Sequence, residues 1–306
     1  MISLRTAALT LLALVAFAAN SILCRLALKQ GLVDPVAFTQ VRLLSGALML
    51  APILAWRQRG SAKIAIASKS WRPAAALFAY AIAFSLAYVA MGAGAGALIL
   101  FACVQITMIG IAMATGLRPG LLEWVGIALA FAGLVGLVAP GLYAPPWKSA
   151  ALMAVAGIAW GIYTTLGKRE GDAVAATARN FILAVPFALA LLLAGPKWSG
   201  ASAQGLLLAA TSGAITSALG YVVWYAALRG LGTMQASIIQ VASPVLVALG
   251  GILFLGETFT PRLVIAMFAI LGGIVLTVWA GAARTRGRAP GQAAGVAAAD
   301  PRRMSK

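Results

Sequence analysis

The residues able to do chemistry in this chain are few and sit in apolar surroundings. Tyr80, Phe84 and Tyr88 recur every fourth residue, which lines them along one face of a helix. Tyr221, Trp224 and Tyr225 form a second aromatic group, and Phe17, Asn20, Phe101, Gln105, Trp160, Tyr163, Gln240 and Ser243 complete the set. These types suit the binding of a small molecule. Rings offer apolar walls, while amide, indole and hydroxyl groups inside a membrane each need a partner that a wet cavity supplies. An aromatic stripe on a membrane helix also serves packing, and a buried Asn or Gln also serves as glue between helices. For the whole set, spread over both halves of the chain, substrate binding is the favoured reading. Arg42 and Arg179 are charges inside apolar stretches. They are either anchors for a carboxylate or phosphate, or side chains that snorkel to the interface or pair structurally. Pro244, behind Ser243, bends its helix as a fixed kink or a gating hinge.

The missing chemistry narrows the function further. The chain has no His, which removes the commonest metal ligand and the usual proton relay near neutral pH. Gly167-Lys168 is followed by Arg169 and lacks the lead and the hydroxyl of a nucleotide-phosphate loop; the glycine run 92–96 follows no strand and is expected to be a hairpin turn. No catalytic residue, metal site or cofactor is expected, and an intramembrane enzyme is disfavoured because no nucleophile–base pair lies at depth. A channel is disfavoured because no helix carries a full polar face. None of the six acidic residues falls in mid-span, with Glu257 at the end of the ninth. Coupling to a proton or cation usually uses a carboxylate at depth. Facilitated diffusion or exchange is therefore preferred, with proton-coupled efflux of drugs or metabolites, anionic ones included, as the alternative.

These residues are positioned by membrane helices. Hydrophobic residues are 62% of the 306, charged ones 9%, and mean hydropathy is +0.99. The apolar runs are each about 20 residues long, the length that crosses a hydrocarbon core. Ten spans are predicted, near 6–28, 36–56, 72–91, 95–115, 121–139, 149–167, 174–194, 205–228, 233–255 and 262–281. The first resembles a signal peptide but has an internal counterpart and is kept as a span. The stretch 12–31 returns at 152–171 with 7 identities in 20 positions, and the same offset of 140 pairs Gly92/Gly232, Gly110/Gly250, Gly116/Gly256, Gly133/Gly273 and Gly141/Gly281. The expected fold is thus all-α, ten transmembrane helices in two five-helix repeats around a central cavity. The first repeat covers 1–140, a linker 141–148, the second repeat 149–282, and a basic disordered tail 283–306. Five is odd, so the second repeat enters the membrane from the opposite side.

The net charge of +17 does not point to nucleic acid, because Lys and Arg cluster between spans and in the tail. Sixteen lie on the side of both termini and four on the other, which puts the termini in the cytoplasm of a bacterial inner membrane. Cys24 and Cys103 lie inside spans as small buried hydrophobes. Spans five and ten, rich in Gly126, Gly133, Gly136, Gly272 and Gly273, are read as peripheral packing helices in a monomer or homodimer.

Phe17-Ala-Ala-Asn-Ser-Ile-Leu23, Pro35 with Arg42, Gln240-Val-Ala-Ser-Pro244 and Leu255-Gly-Glu-Thr258 together resemble the drug/metabolite transporter superfamily in its ten-helix EamA-type branch. The resemblance covers about 3–282 and is greatest to the YddG-like exporters of aromatic and other amino acids. It implies helices one to four and six to nine around a central cavity, five and ten outside, and export of small metabolites by alternating access. The first half departs from the pattern, with Leu117 where the second has Glu257 and Val104 where it has Pro244. A neutral zwitterion fits the aromatic and amide set, whereas a drug cation would want a carboxylate at depth and an anionic sugar nucleotide several deep basic residues.

Overall fold

A computed structural model describes residues 3–57, 71–167, 172–195, 198–231 and 233–298. Its helices, in order, are α1 (Leu4–Lys29), α2 (Pro35–Arg57), α3 (Arg72–Tyr88), α4 (Ala93–Ala114), α5 (Leu121–Val138), α6 (Trp147–Gly167), α7 (Ala173–Ala190), α8 (Ala203–Thr211), α9 (Gly220–Leu228), α10 (Thr233–Gln240), α11 (Ala242–Leu255) and α12 (Pro261–Ala298). A π-helical segment, Ser212–Leu219, joins α8 to α9 without a break, so 203–228 is the eighth span. Eight of the helical stretches are long and apolar enough to cross a membrane, and Arg72–Tyr88 and Ala242–Leu255 are shorter apolar helices. The protein is an all-α, multi-pass membrane protein of about ten spans.

The helix starts follow local chemistry. Ser3 accepts from the Thr6 amide, Asp34 from Val36, Asp172 from Val174 and Ser202 from Gly205, each satisfying an orphan amide of a first turn. Two expectations are corrected. Gly94 and Gly96 lie inside α4 rather than in a hairpin; only Gly92 stands in the turn, and a Cβ at Gly96 would lie 2.5 Å from the Tyr88 ring. The ninth span is two helices. Pro244 cannot donate to the carbonyl four residues back, Gln240, and the break falls between them at Val241. Backbone 283–298 continues α12 as a helix. Residues 299–306 lie outside the described residues.

The inversion of the halves can be read from contacts. Asn20 meets Tyr80 and Arg25 meets the Tyr88 carbonyl, so α1 and α3 run the same way. Trp160 meets Tyr80 while Met153 meets Gly96 beside Tyr88, so α6 runs against α3. The equivalent helices α1 and α6 therefore point in opposite directions. Gly116 and Gly256, paired by the offset of 140, both adopt the left-handed conformation, at φ +100° and +62°. Only a residue without a Cβ does so at little cost.

Span eight packs along α1 in antiparallel fashion. Leu32 meets Ser202 and Gly205 at one end, Asn20 meets Ser212 in the middle, and Thr6 meets Gly230 at the other. Helices α5 and α12 pack chiefly on each other, at the side of α4 and α10. Gly126, Gly133 and Gly273 are consumed in that contact, whereas Gly136 and Gly272 face open space. At its end Arg284 pairs with Glu123 at 3.1 Å.

The tightest crossing is that of α2 with the π-helical segment. A Cβ at Gly213 would lie 2.0 Å from the Arg42 carbonyl oxygen. Gly213→Ala is expected to cost about 1–3 kcal/mol by overpacking. It should lower the melting temperature of the purified protein in detergent, while Gly136→Ala, with open space around it, should leave it unchanged.

Candidate functional site

The centre of the molecule is built on Asn20. Its side-chain oxygen accepts from Ser212 Oγ at 2.7 Å, Ser217 Oγ at 3.3 Å and Thr216 Oγ1 at 3.4 Å, and its Nδ2 donates to the Tyr80 hydroxyl at 3.4 Å. One amide thus ties α1 and α3 of the first half to span eight of the second. The π-helical turn widens the helix there and brings Ser212, Thr216 and Ser217 onto one target. Such turns are frequent at functional sites.

Arg42 enters the same network from α2. Its Nε donates to Ser217 Oγ at 3.1 Å and one Nη to the Tyr80 hydroxyl at 3.1 Å. The guanidinium carbon stands 5.1 Å from the Tyr80 ring centre and 5.2 Å from that of Phe84, within cation–π range. The residue is 1% exposed, and Nη1 has no hydrogen-bond partner among the described residues. The snorkelling reading is overturned for Arg42: the side chain points inward, with no carboxylate beside it among the described residues. Arg179, half-buried near the start of α7, has an interaction of its own.

The aromatic residues close on one another in a continuous chain. Tyr88 meets Phe84 at 4.6 Å between ring centres, Phe84 meets Tyr80 at 5.2 Å, and Tyr80 meets Trp160 at 4.7 Å. Trp160 then touches Tyr163 at 5.1 Å and Tyr221 at 5.0 Å, while Phe17 bridges Tyr221 and Trp224 at 6.0 and 5.8 Å. At this depth rings of both halves meet one another. The more exposed members, Phe17, Trp160, Trp224 and Tyr225, are half-buried. Phe101, Gln105 and Gln240 are also half-buried and make none of these ring or amide contacts; Ser243 is fully buried at the start of α11 with its hydroxyl unpartnered. The larger described cleft elsewhere, about 590 Å³ and apolar, runs between α5 and α12 by Gly136 and Arg262 and holds none of these residues.

The two faces of the bundle are closed differently. On the face of the α1–α2 turn, the Glu257 carboxylate accepts the Ala93 amide at 2.8 and 3.0 Å and the Arg25 Nε at 3.4 Å. Arg25 also donates to the carbonyls of Tyr88 at 2.8 Å and Val89 at 2.9 Å, and Lys29 to that of Leu255 at 2.8 Å. Beneath this lies a small apolar plug of Ala18, Ile22, Ala93, Ala97, Val247 and Leu255. The opposite face has Leu117 where the repeat would put Glu257 and Thr165 where it would put Arg25. Leu117 is 42% exposed, and the Thr165 hydroxyl is spent on the Gly161 carbonyl of its own helix. Among the described residues, the opposite face is ion-paired only at its α5–α12 edge, by Arg284 with Glu123, and not at the Leu117 and Thr165 positions.

An uncharacterized protein of Pseudomonas aeruginosa is 50% identical over 272 residues, 89% of this chain and 94% of that relative. An uncharacterized transporter of Clostridium kluyveri is 27% identical over 127 residues, 40% of this chain and 41% of its own length. The EamA-like transporter family matches residues 147–279. That match spans the second half of the chain, 133 of its 306 residues. A crystal structure aligned at TM-score 0.60 covers 88% of this chain and 95% of its own, and at 18% identity it speaks for the fold alone. The apolar spans and the EamA-like match over the second half support a membrane transporter, which implies a small-molecule substrate and a lipid bilayer around it.

Within this EamA-type framework, sequence reasoning missed Ser212, Thr216, Ser217 and Phe181. The three hydroxyl residues carry a signal, being polar positions at helical spacing inside an apolar span; Phe181 carries none, and only its ring contact with Tyr221 at 6.1 Å brings it in. The seal gives a direct check. Glu257→Ala removes a charged acceptor worth about 1.5–3 kcal/mol. Hydrogen exchange at the start of α4 should rise tenfold or more, with a smaller rise for Glu257→Gln, which keeps an acceptor.

Proposed function

We propose that this transporter exports amino acids, aromatic and other neutral ones, with related small metabolites, across a bacterial inner membrane by alternating access. The observation that carries the reading is the cluster around Asn20, Tyr80, Trp160 and Tyr221. It lies between the two halves and offers ring faces and hydroxyl, indole and amide groups with no carboxylate. Such a lining suits a zwitterion with an apolar side chain and disfavours a bare drug cation. In this reading the chain belongs with the YddG-like branch. Its termini are cytoplasmic in this reading, which the distribution of Lys and Arg supports. The sealed face then looks outward, and substrate enters from the cytoplasm past the half-buried Phe17, Trp160, Trp224 and Tyr225.

The absence of a mid-span carboxylate supports facilitated diffusion or exchange over proton coupling. Glu257, the carboxylate of the sealed face, is already held by Arg25 and the Ala93 amide.

Proteoliposomes loaded with unlabelled amino acids should take up labelled phenylalanine or threonine faster than empty liposomes, with little change when a pH gradient is imposed. Rates equal to empty liposomes for every amino acid would contradict the reading. Trp160→Ala should slow uptake about tenfold or more at unchanged expression, because it removes the ring shared by Tyr80, Tyr163 and Tyr221.

A further inference from the structure

We infer that Arg42 is the anchor for a carboxylate group of the transported molecule, so that the site takes small organic acids and zwitterions and rejects their amides and esters. The inference rests on the transport reading above and names the chemical group by which that site recognises its cargo. Three observations carry it.

The first is charge. The guanidinium is fully buried, and its polar neighbours are hydroxyls and aromatic faces, none of them anionic. Burying an unneutralised charge is unfavourable, and an arriving carboxylate recovers part of that cost. The second is an open valence. Among the described residues Nη1 has no hydrogen-bond partner, although Ser217 and Tyr80 oxygens stand beside the same guanidinium. The other Nη is satisfied only by the neutral Tyr80 hydroxyl, at 3.1 Å. A carboxylate is the ligand that fits both prongs of such a fork, and charged bidentate pairs are roughly twice as strong as neutral ones. The third is position. Arg42 belongs to the first repeat and Ser217, its Nε partner, to the second, so the anchor stands where the halves meet and where a change in their packing reaches it.

Tyr80 ties the anchor to the ring cluster. Its hydroxyl is shared by Arg42 and Asn20, and its ring lies 4.7 Å from Trp160. A carboxylate that takes over the guanidinium displaces that hydroxyl. Movement of Tyr80 then parts its ring from Trp160, one of the contacts between the halves. A substrate ammonium group, where present, would be received by those ring faces.

The test uses the purified full-length protein and needs no mutation for its first arm. Thermal stabilisation is measured with a panel of the protein amino acids, their 2-oxo and deaminated acids, the matching amides and methyl esters, and chloride alone. The expected result is that one or more carboxylates stabilise the wild type, while the matching amide and ester do not. In Arg42→Gln the apparent Kd should rise about 10- to 100-fold, the loss of a charged hydrogen-bonded pair. Arg42→Lys, which keeps the charge but not the fork, should lie between. Equal stabilisation by acid and amide overturns the proposal without help from any variant. So does a response that survives in Arg42→Gln, a response to chloride as large as that to the acids, or no response to any carboxylate. If only the oxo and deaminated acids act, and act through Arg42, the amino-acid reading fails and the anchor stands. If amino acids are transported but their amides compete equally, the anchor fails and the transport reading stands.

Discussion

A guanidinium that has left water behind without meeting a carboxylate sets the terms for the middle of this protein. Arg42 is tolerated because oriented dipoles and ring faces replace its water: Ser217 and Tyr80 oxygens take two of its donors, and the Tyr80 and Phe84 rings lie beside it. That solvation shell comes from two elements, α3 and the π-helical segment, which must converge on α2 within hydrogen-bonding distance. Convergence in turn requires Gly213 against the Arg42 backbone and Gly46 against Phe181, where a Cβ would lie 2.4 Å from the ring. The amide of Asn20 then joins α1 to the same point. Packing, polarity and position are one constraint here.

The second theme is a symmetry that has been broken at useful places. The halves share their five-helix plan, and the left-handed glycines 116 and 256 are a matched pair. Glu257, however, faces an apolar Leu117 as its counterpart, so only one face can draw the start of α4, the end of α1 and the end of α11 together through a carboxylate. Arg25 and Glu257 keep 11% and 19% of their side-chain surface exposed, so their ion pair contributes modestly. A seal of that strength holds one face shut while leaving the alternative within a few kcal/mol, as switching requires.

Much of the architecture was legible in the sequence because the bilayer permits so few solutions. Apolar runs of the right length, Pro after Asp34 and Thr260, and the offset of 140 placed the spans, and all but the ninth proved continuous. The break at Val241 was foreshadowed by Pro244 as a bend, but a single Pro does not reveal whether a helix bends or divides. The aromatic candidates were legible by type and spacing, since large polar-tipped rings are conspicuous in an Ala- and Leu-rich chain. What stayed hidden depended on rotation and depth. Arg42 lies close enough to a helix end to snorkel, and only the crossing at Gly213 turns it inward. Ser212, Thr216 and Ser217 read as small packing residues until the π-helical turn aims them at Asn20. Gly94 and Gly96 look like a loop and are helix, because glycines that let helices approach have the same one-letter appearance as glycines that turn a chain.

The central claim is that two oppositely directed halves enclose a site between a sealed face and a yielding one, and that the seal opens in the working cycle. Pulsed electron–electron distance measurement across the seal tests it most directly. Gln30 and Phe259 are both exposed on the sealed face and can be spin-labelled as Gln30→Cys and Phe259→Cys after replacement of the buried Cys24 and Cys103. A dominant short distance without ligand, joined by a second, longer population when a saturating mixture of the protein amino acids is added in nanodiscs, is the predicted result. One distance distribution, unmoved by the mixture and by Glu257→Ala, would contradict it.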